Sequence, residues 1–150
     1  MAEDRKSDDE LAELIGLMSE AASALIGGHI RRCFDLMQHT DDFTLMPHTG
    51  GDTIHGSTET DESISEMERF FKSGEATLEV IQTYASGDLA VLVAVERQRG
   101  EVGDYPAQDW SLRVTLVFRR DGAQWRLAHR HADALVHPIT FDQLAVLARG

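Results

Sequence analysis

The residues best suited to catalysis or ligand binding are concentrated between Trp125 and Asp133, where the chain reads Trp-Arg-Leu-Ala-His-Arg-His-Ala-Asp. An Asp-Gly turn at 121–122 precedes this stretch, which therefore predicts a strand that follows a hairpin. In a regular strand, successive side chains alternate between the two faces. One face would then carry Trp125, Leu127, His129, His131 and Asp133, and the other Arg126, Ala128, Arg130 and Ala132.

His129 and His131 are candidate catalytic residues, because an imidazole with an unperturbed pKa of about 6.5 can transfer protons near neutral pH. Asp133 lies two residues further on and is a candidate to orient His131. The same two rings would bind a metal only with a third ligand, such as His48, His55 or Asp133. No Glu or His stands at a diagnostic spacing, so we expect neither a metal nor another cofactor. The alternative is structural: both histidines pack against the helices or at an interface and bond to backbone carbonyls.

The predicted strand also carries two arginines that suit a carboxylate ligand. A guanidinium binds a carboxylate through two parallel hydrogen bonds, which makes Arg126 and Arg130 candidate ligand-binding residues. Trp125, Trp110 and Tyr84 are candidates for the wall of a pocket, with ordinary core packing as the alternative. The sequence leaves open whether the histidine face or the arginine face meets the enclosed space.

Three amphipathic helices are predicted before the main strands begin. Apolar residues at helical spacing follow a Ser-x-x-Glu capping box at Ser7, and a second short helix follows the Gly27-Gly28 break. A third helix is predicted from the capping box at Thr58–Asp61 to Gly74, a residue type that commonly ends helices. Thr140 and Gln143 predict the cap of a last short helix.

The apolar period then changes from helical to alternating. A short strand at 43–46, closed by Pro47, follows a turn-rich cluster at 39–42, and a polar loop is predicted at 100–107. Longer strands are predicted at 78–84, 89–95, 110–119 and 125–137, joined mostly by hairpins, one of them at Ser86-Gly87-Asp88. Helices followed by an antiparallel sheet are typical of the α+β class. We expect residues 1–150 to form one domain with the first ~6 residues flexible.

The segment from Leu89 to Val95 is continuously apolar. An antiparallel strand usually alternates apolar and polar residues, because one of its faces meets water. A continuous apolar run predicts a sheet covered on both faces, for instance by dimerisation.

The charge balance excludes some partners. The formal net charge of −12 and the lack of a basic patch disfavour nucleic acid and anionic membrane surfaces. No apolar run approaches the ~20 residues that span a membrane, and the charged N terminus lacks the core of a signal peptide, so we expect a cytoplasmic protein. The single cysteine, Cys33, cannot form an internal disulfide and is expected to be a buried, inert thiol.

The order of the elements and the residues of the last hairpin resemble a known superfamily. The residues that carry the likeness are Arg119-Arg120-Asp121-Gly122, Trp125, His129-Arg130-His131 and the small-residue run to Pro138. With the element order from about Leu11 onward, they are similar to the nuclear transport factor 2-like superfamily, which includes ketosteroid isomerase and SnoaL-like polyketide cyclases. The strongest local match is to the association domain of calcium/calmodulin-dependent kinase II and its bacterial relatives.

This resemblance implies a cystatin-like cone, in which three N-terminal helices pack on a curved, mainly antiparallel sheet around a conical pocket. It also implies a homodimer formed through the sheet. The general base of ketosteroid isomerase would fall at Met46, which cannot take a proton but would line the pocket, and its oxyanion tyrosine would fall near Ala21. Of the pocket arginines of the kinase association domain, Arg126 and Arg130 remain, while Ala132 stands at the terminal position.

Two functions follow as hypotheses. In the first, the protein binds a small molecule, for which a carboxylate is one candidate, in a conical pocket and is a cofactor-free acid/base enzyme of isomerase, cyclase or hydratase type. In the second, it is a non-catalytic assembly module that oligomerises through its sheet, as the kinase association domain does. The fold alone does not choose between them.

Overall fold

A computed structural model describes residues 2–57 and 59–149, with side chains described from residue 8 onward. Three helices precede the long strands and a fourth follows them, so the helix order agrees with the prediction. Their bounds are α1 (Ala2–Ile26), α2 (Ile30–Leu36), α3 (Asp61–Phe70) and α4 (Phe141–Leu147).

The strands form one mixed sheet in the order β2-β1-β7-β6-β4-β3, with β5 paired to β4. Every pairing is antiparallel except that of β1 with β7. The strand bounds are β1 (His39–Met46), β2 (Ile54–His55), β3 (Phe71–Ser86), β4 (Leu89–Val102), β5 (Gln108–Asp109), β6 (Leu112–Asp121) and β7 (Gln124–Asp133). The mainly antiparallel α+β fold is therefore as predicted.

One face of the sheet, called the inner face below, forms the core with α1. Leu14 and Met18 of α1 are buried in the same cluster as Leu92 of β4 and Leu116 and Phe118 of β6. These strand residues alternate with more exposed neighbours along their strands, as a half-covered antiparallel sheet requires. The opposite face of the sheet is called the outer face. Among the described residues, no helix combines the length and apolar character needed to cross a bilayer.

A bulge in β7 changes which side chains share a face. Phe118 of β6 lies opposite Leu127, but the neighbouring Val117 lies opposite His129, so Ala128 is an extra residue without a partner of its own. At such a bulge the extra residue shifts the alternation, so that the side chains beyond it point to the opposite faces from those that a regular strand would give. The predicted single face from Trp125 to Asp133 is therefore wrong. The inner face of β7 carries Trp125, Leu127, Arg130 and Ala132, and the outer face carries Arg126, His129, His131 and Asp133.

Several predicted boundaries differ from the observed ones. The cluster at 39–42 is strand rather than turn, because β1 begins at His39 and pairs with β7. The chain passes from α3 directly into β3 at Phe71, so Gly74 lies within a strand instead of ending the helix. Long-range pairing supplies hydrogen bonds that local turn propensity does not anticipate. Likewise β4 extends to Val102 through most of the predicted loop, and β7 ends at Asp133 rather than near residue 137.

The predicted helix starts have mixed outcomes. Thr140 caps α4 with Gln143 as predicted, and the hairpin between β3 and β4 turns at Gly87. The cap of α3 is Thr60, which forms a capping box with Ser63, whereas Thr58 lies outside the described residues. The helix α1 begins at Ala2 rather than at Ser7; the side chain of Ser7 and the expected N-terminal flexibility lie outside the description.

Candidate functional site

A buried ion pair links two strands on the inner face of the sheet. Glu96 of β4 is 2% exposed, and its Oε1 and Oε2 atoms accept hydrogen bonds from Nη1 and Nη2 of Arg130 at 2.9 and 2.6 Å. Burial alone would lower the pKa of Arg130, but the charge of Glu96 and its hydrogen bonds outweigh burial and raise it. The guanidinium of Arg130 is therefore charged at neutral pH. We call Glu96 and Arg130 the inner pair.

His39, at the start of β1, lies within the electrostatic influence of Arg130 of the inner pair. Its ring stacks on Phe43 with centroids 3.8 Å apart, meets Phe34 edge-on at 5.9 Å, and places Nδ1 2.5 Å from Ser57 Oγ. Burial, together with the positive charge of Arg130, lowers the pKa of His39 to about 4. The imidazole is therefore neutral near pH 7 and serves as a hydrogen-bonding group rather than as a cation.

A cleft of about 480 Å³ opens beside His39, and we call it the His39 cleft. Its volume lies within the range of ~300–1,000 Å³ typical of small-molecule sites. The lining is mixed: apolar side chains from α2, the residue that follows it and α3, two carboxylates and one guanidinium. The lining residues are Phe34, Met37, Gln38, His39, Thr40, Asp41, Ser57, Glu59, Ile64 and Arg126.

Arg126, one of the residues that line this cleft, carries a buried donor without a hydrogen-bond partner. Its Nε atom lies 3.1 Å from Asp121 Oδ2, an ion-pair distance, but the two are not aligned for a hydrogen bond. Within the described part of the chain, this Nε is the one buried side-chain nitrogen or oxygen without a hydrogen-bond partner. A buried donor without an acceptor costs free energy, so an acceptor group on a ligand would stabilise this site.

Cys33 of α2 and His48, which follows β1, complete the polar surroundings of the inner pair. Burial raises the pKa of the Cys33 thiol to about 11, with Arg130 opposing and Glu96 reinforcing the shift. Burial and Arg130 lower the pKa of His48, and Glu96 opposes them. Both side chains are therefore neutral at pH 7, which agrees with the expectation of an inert Cys33. Among the described residues, no three His, Cys, Asp or Glu side chains are grouped to hold a metal ion.

The predicted catalytic residues lie on the outer face. His129 Nδ1 is 2.8 Å from Thr44 Oγ1 and 3.1 Å from the Thr44 carbonyl oxygen, and His131 is exposed. The Asp133 carboxylate accepts hydrogen bonds from Arg113 Nε and Nη2 at 2.9 and 3.1 Å, and these bonds lower its pKa. The three side chains do share a face, but none lines the His39 cleft. Their catalytic role stays a prediction, which would require a site on the outer face.

The predicted wall residues are spread over the molecule. Trp110 donates its indole N–H to the Gly100 carbonyl at 3.1 Å. Tyr84 is 58% exposed and Met46 is 43% exposed; they lie opposite Val91 and His131 respectively, on the outer face.

Trp125 packs on the inner face but away from the His39 cleft. Its ring lies under the Arg120 guanidinium, 4.6 Å from ring centroid to Cζ. It lines a second cleft of about 390 Å³ between α1, α2 and the last hairpin. Of the candidate residues from the last strand, only Arg126 lines the His39 cleft, and Arg130 lies in the inner pair.

Sequence reasoning missed Glu96 and His39. Glu96 continues the inward alternation of Ala90, Leu92 and Ala94 along β4, so its burial could have been predicted from the strand period. A buried acid needs a partner, and this need was the available signal for a polar site. His39 carried no such signal, because its segment reads as a turn.

Comparisons with known proteins agree with this architecture. The fold is similar to that of an NTF2-like superfamily protein from Salmonella enterica serovar Typhimurium, with 15% identity, a TM-score of 0.68, and coverage of 91% of this chain and 96% of that one. A candidate dehydratase of the NTF2-like family from Streptomyces avermitilis has 19% identity and a TM-score of 0.65, over 88% of this chain and 99% of that one. The CamKII hub homology domain of Chlamydomonas reinhardtii has 14% identity and a TM-score of 0.63, over 84% of this chain and 98% of that one.

These likenesses, all well below 25% identity, concern the fold and not the activity. No curated protein matches the sequence. The model of the SnoaL-like domain family matches residues 16–136. This span runs from α1 through β7 and contains the inner pair and the whole lining of the His39 cleft. The chain therefore belongs to the SnoaL-like domain family, and its fold is similar to that of NTF2-like proteins with a cystatin-like fold.

Proposed function

We propose that the protein binds a small molecule in the His39 cleft. The observation that supports this most directly is a neutral imidazole, hydrogen-bonded to Ser57, in the wall of a cleft of about 480 Å³. The aromatic and apolar lining from Phe34, Met37 and Ile64 would hold the body of the ligand, and the buried donor of Arg126 would meet an acceptor on it.

The cleft also contains the groups that cofactor-free acid/base chemistry uses. A neutral imidazole can donate a hydrogen bond to a carbonyl as charge develops on its oxygen, without being a cation. Asp41 and Glu59, which line the same cleft, are the candidate proton acceptors. We therefore propose an isomerase, cyclase or hydratase type of reaction as the activity, with His39 rather than His129 or His131 as the polar group that contacts the substrate.

A thermal-shift and calorimetric screen of ring ketones, enones and aromatic amides tests the binding proposal. We expect hits whose dissociation constants rise about 5- to 150-fold in His39→Phe, because the loss of one hydrogen bond to a buried group costs ~1–3 kcal/mol. His137→Phe, at an exposed position outside the cleft, is the matched control. Hits that bind His39→Phe as tightly as the parent protein would place the ligand elsewhere.

The outer face of the sheet favours a second candidate function, assembly through a homodimer. Val91, Val93 and Val95 of β4 and Val117 of β6 are only partly buried on this face, so a row of apolar side chains lacks a full cover. Exposed apolar rows of this kind mark interaction surfaces. A second copy of the chain is the proposed partner, and charged pairs such as Arg113–Asp133 leave the rim of this face locally neutral.

Light scattering over a range of concentrations tests the assembly proposal. We expect a dimer, and we expect Val93→Lys to weaken its association by at least about ten-fold, because an unpaired charge would be buried in the interface. Tyr105→Lys, at an exposed residue between β4 and β5, should leave the dimer intact. A parent protein that stays monomeric at all concentrations would end this proposal without affecting the His39 cleft.

A further inference from the structure

The ring of His39 is held in place by three neighbouring side chains. It stacks on Phe43 with the ring centroids 3.8 Å apart, and the ring of Phe34 lies nearly perpendicular to it at 5.9 Å. Its Nδ1 atom is 2.5 Å from the Oγ of Ser57, a residue that lines the same cleft. The two phenylalanines therefore fix the plane of the imidazole, and Ser57 fixes the position of Nδ1 within that plane.

The second ring nitrogen of His39, Nε2, remains accessible. Among the described residues, Nε2 has no hydrogen-bond partner, and the one buried side-chain nitrogen or oxygen in that state is the Nε of Arg126. Because His39 is only half-buried, its unpartnered Nε2 therefore reaches the surface of the protein. His39 lines the His39 cleft, so a molecule bound there would meet the Nε2 edge of the ring.

The charge state of the ring makes the roles of its two nitrogens interdependent. Burial and the positive charge of Arg130 lower the pKa of His39 to about 4, so the ring carries a single N–H proton near pH 7. In a neutral imidazole one nitrogen donates and the other accepts, and the hydrogen bond of one nitrogen decides the role of the other. If Nδ1 accepts from Ser57, Nε2 is a donor toward the cleft.

The contact between Ser57 and His39 favours a hydroxyl that donates to Nδ1. Its length of 2.5 Å falls within the ~2.5–3.0 Å that hydroxyl donors form with oxygen, and below the ~2.7–3.2 Å of N–H···O bonds. An unprotonated imidazole nitrogen is also a much stronger base than a hydroxyl oxygen, which makes it the better acceptor of the two. In the described part of the chain, the Ser57 side chain has no other hydrogen bond, so its hydrogen is available to the ring.

We infer that Ser57 is a positioning residue of the site: its hydroxyl donates to Nδ1 of His39, so that the ring presents Nε2–H to the cleft as a hydrogen-bond donor. The ligand class follows from this polarity, because the group opposite His39 has to be an acceptor, such as a carbonyl oxygen. The lining carboxylates, Asp41 and Glu59, accept hydrogen bonds instead, so an N–H or O–H elsewhere on the ligand would complement them. This inference rests on the proposed binding function and adds to it the residue that sets the polarity of His39.

The tautomer of His39 can be measured by NMR without any ligand. Long-range proton–nitrogen correlation spectra of the isotope-labelled protein at pH 7 show which ring nitrogen is protonated, and the signals that disappear in His39→Gln are those of His39. We expect a protonated Nε2 and an unprotonated Nδ1. A protonated Nδ1 would overturn the inference, and this result requires no variant of Ser57 to fold.

Variants of Ser57 test whether its hydroxyl sets the tautomer. In Ser57→Ala, the ratio of the Nε2–H form to the Nδ1–H form should fall by about 2- to 13-fold, which corresponds to ~0.5–1.5 kcal/mol for one hydrogen bond. Ser57→Thr keeps a hydroxyl and should retain the parental ratio. Ser86→Ala removes a hydroxyl from an exposed position outside the cleft and is the matched control. An unchanged ratio in Ser57→Ala would show that Ser57 does not position the ring.

Indanone and indole test the polarity of the ring toward a ligand. The two molecules are similar in size, but indanone offers a carbonyl acceptor and indole an N–H donor. We expect indanone, and not indole, to shift the Nε2 resonance of His39. A shift with indole alone would overturn the inference but leave binding in the cleft intact. If no ketone, enone or amide shifts any signal of His39, the proposed function fails, whereas the tautomer and the role of Ser57 on the ring would stand.

Discussion

Glu96 and Arg130 form a two-hydrogen-bond ion pair between strands that are not neighbours, because β6 lies between β4 and β7. The pair spans the inner row of β6, where Leu112 lies opposite Glu96 and Leu116 lies opposite Arg130. The two side chains therefore meet across the inner face of β6, and each one neutralises the buried charge of the other. This relationship organises the polar part of the interior.

Breaking the inner pair should destabilise the protein strongly. Glu96→Ala or Arg130→Ala leaves one buried charge without its partner, and we expect a loss of about 3–5 kcal/mol in the free energy of unfolding. Urea denaturation followed by circular dichroism measures it. Glu96→Leu/Arg130→Leu should lose less than either single variant, since no charge is then left behind. A loss below ~1 kcal/mol in both single variants would show that the pair is hydrated rather than buried.

Acidification should destabilise the protein through His39. In the unfolded chain this imidazole binds a proton with a pKa near 6.5, whereas in the folded protein it does so only near about 4. Between these values the unfolded state holds more protons, so stability falls as the pH decreases through this window. We expect His39→Gln to flatten the dependence of the melting temperature on pH from 6.5 to 4. His137→Gln should retain it, and an NMR titration of His39 with a midpoint near 6.5 would contradict this account.

The thiol of Cys33 should be almost unreactive in the folded protein. Burial raises its pKa from 9.0 to about 11, which lowers the thiolate fraction at pH 8 by about 100-fold, and the thiolate is the reacting species. Iodoacetamide labelling followed by mass spectrometry should therefore be at least about 100-fold slower in buffer than in urea. Equal rates under the two conditions would show that the thiol is open to solvent and ionised normally.

Gly100 should not tolerate a larger residue. A Cβ atom at this position would lie 2.3 Å from the Ser73 carbonyl oxygen and 2.9 Å from Gly74 Cα, both backbone atoms that cannot move away easily. We expect Gly100→Ala to cost about 1–3 kcal/mol, the usual cost of overpacking.

Gly16→Ala provides the contrast in the same denaturation experiment. Nothing lies within 4 Å of a Cβ at Gly16 in α1, and alanine is the better helix former, so this variant should gain ~0.5–1 kcal/mol. If Gly100→Ala proved as stable as the parent, the backbones of β3 and β4 would be further apart at this point than the distances above indicate.

Local patterns in the sequence were sufficient for the class of the fold. The switch from helical to alternating apolar period, the hairpin at Gly87 and the cap at Thr140 are encoded within a few residues of each other, and each was predicted correctly. The mainly antiparallel sheet followed from the same patterns. The SnoaL-like family was expected from the resemblance of the element order and of the last hairpin's residues to known proteins, and the family match confirms it. The spacing of apolar residues suffices to distinguish strands from helices, because it is two residues in a half-buried strand and three to four in an amphipathic helix.

The site depended on relationships that no local pattern contains. The bulge at Ala128 lies in the strand that pairs with both β6 and β1, and it places Arg130 inward and His129 outward against the regular alternation. Glu96 and Arg130 are 34 residues apart and meet only because the sheet order sets β4 and β7 on either side of β6. The sequence by itself therefore determined the elements and their class, since these arise from short-range periodicity. Only the tertiary structure decided which polar side chains share an interior, because that depends on strand order and on a single unpaired residue.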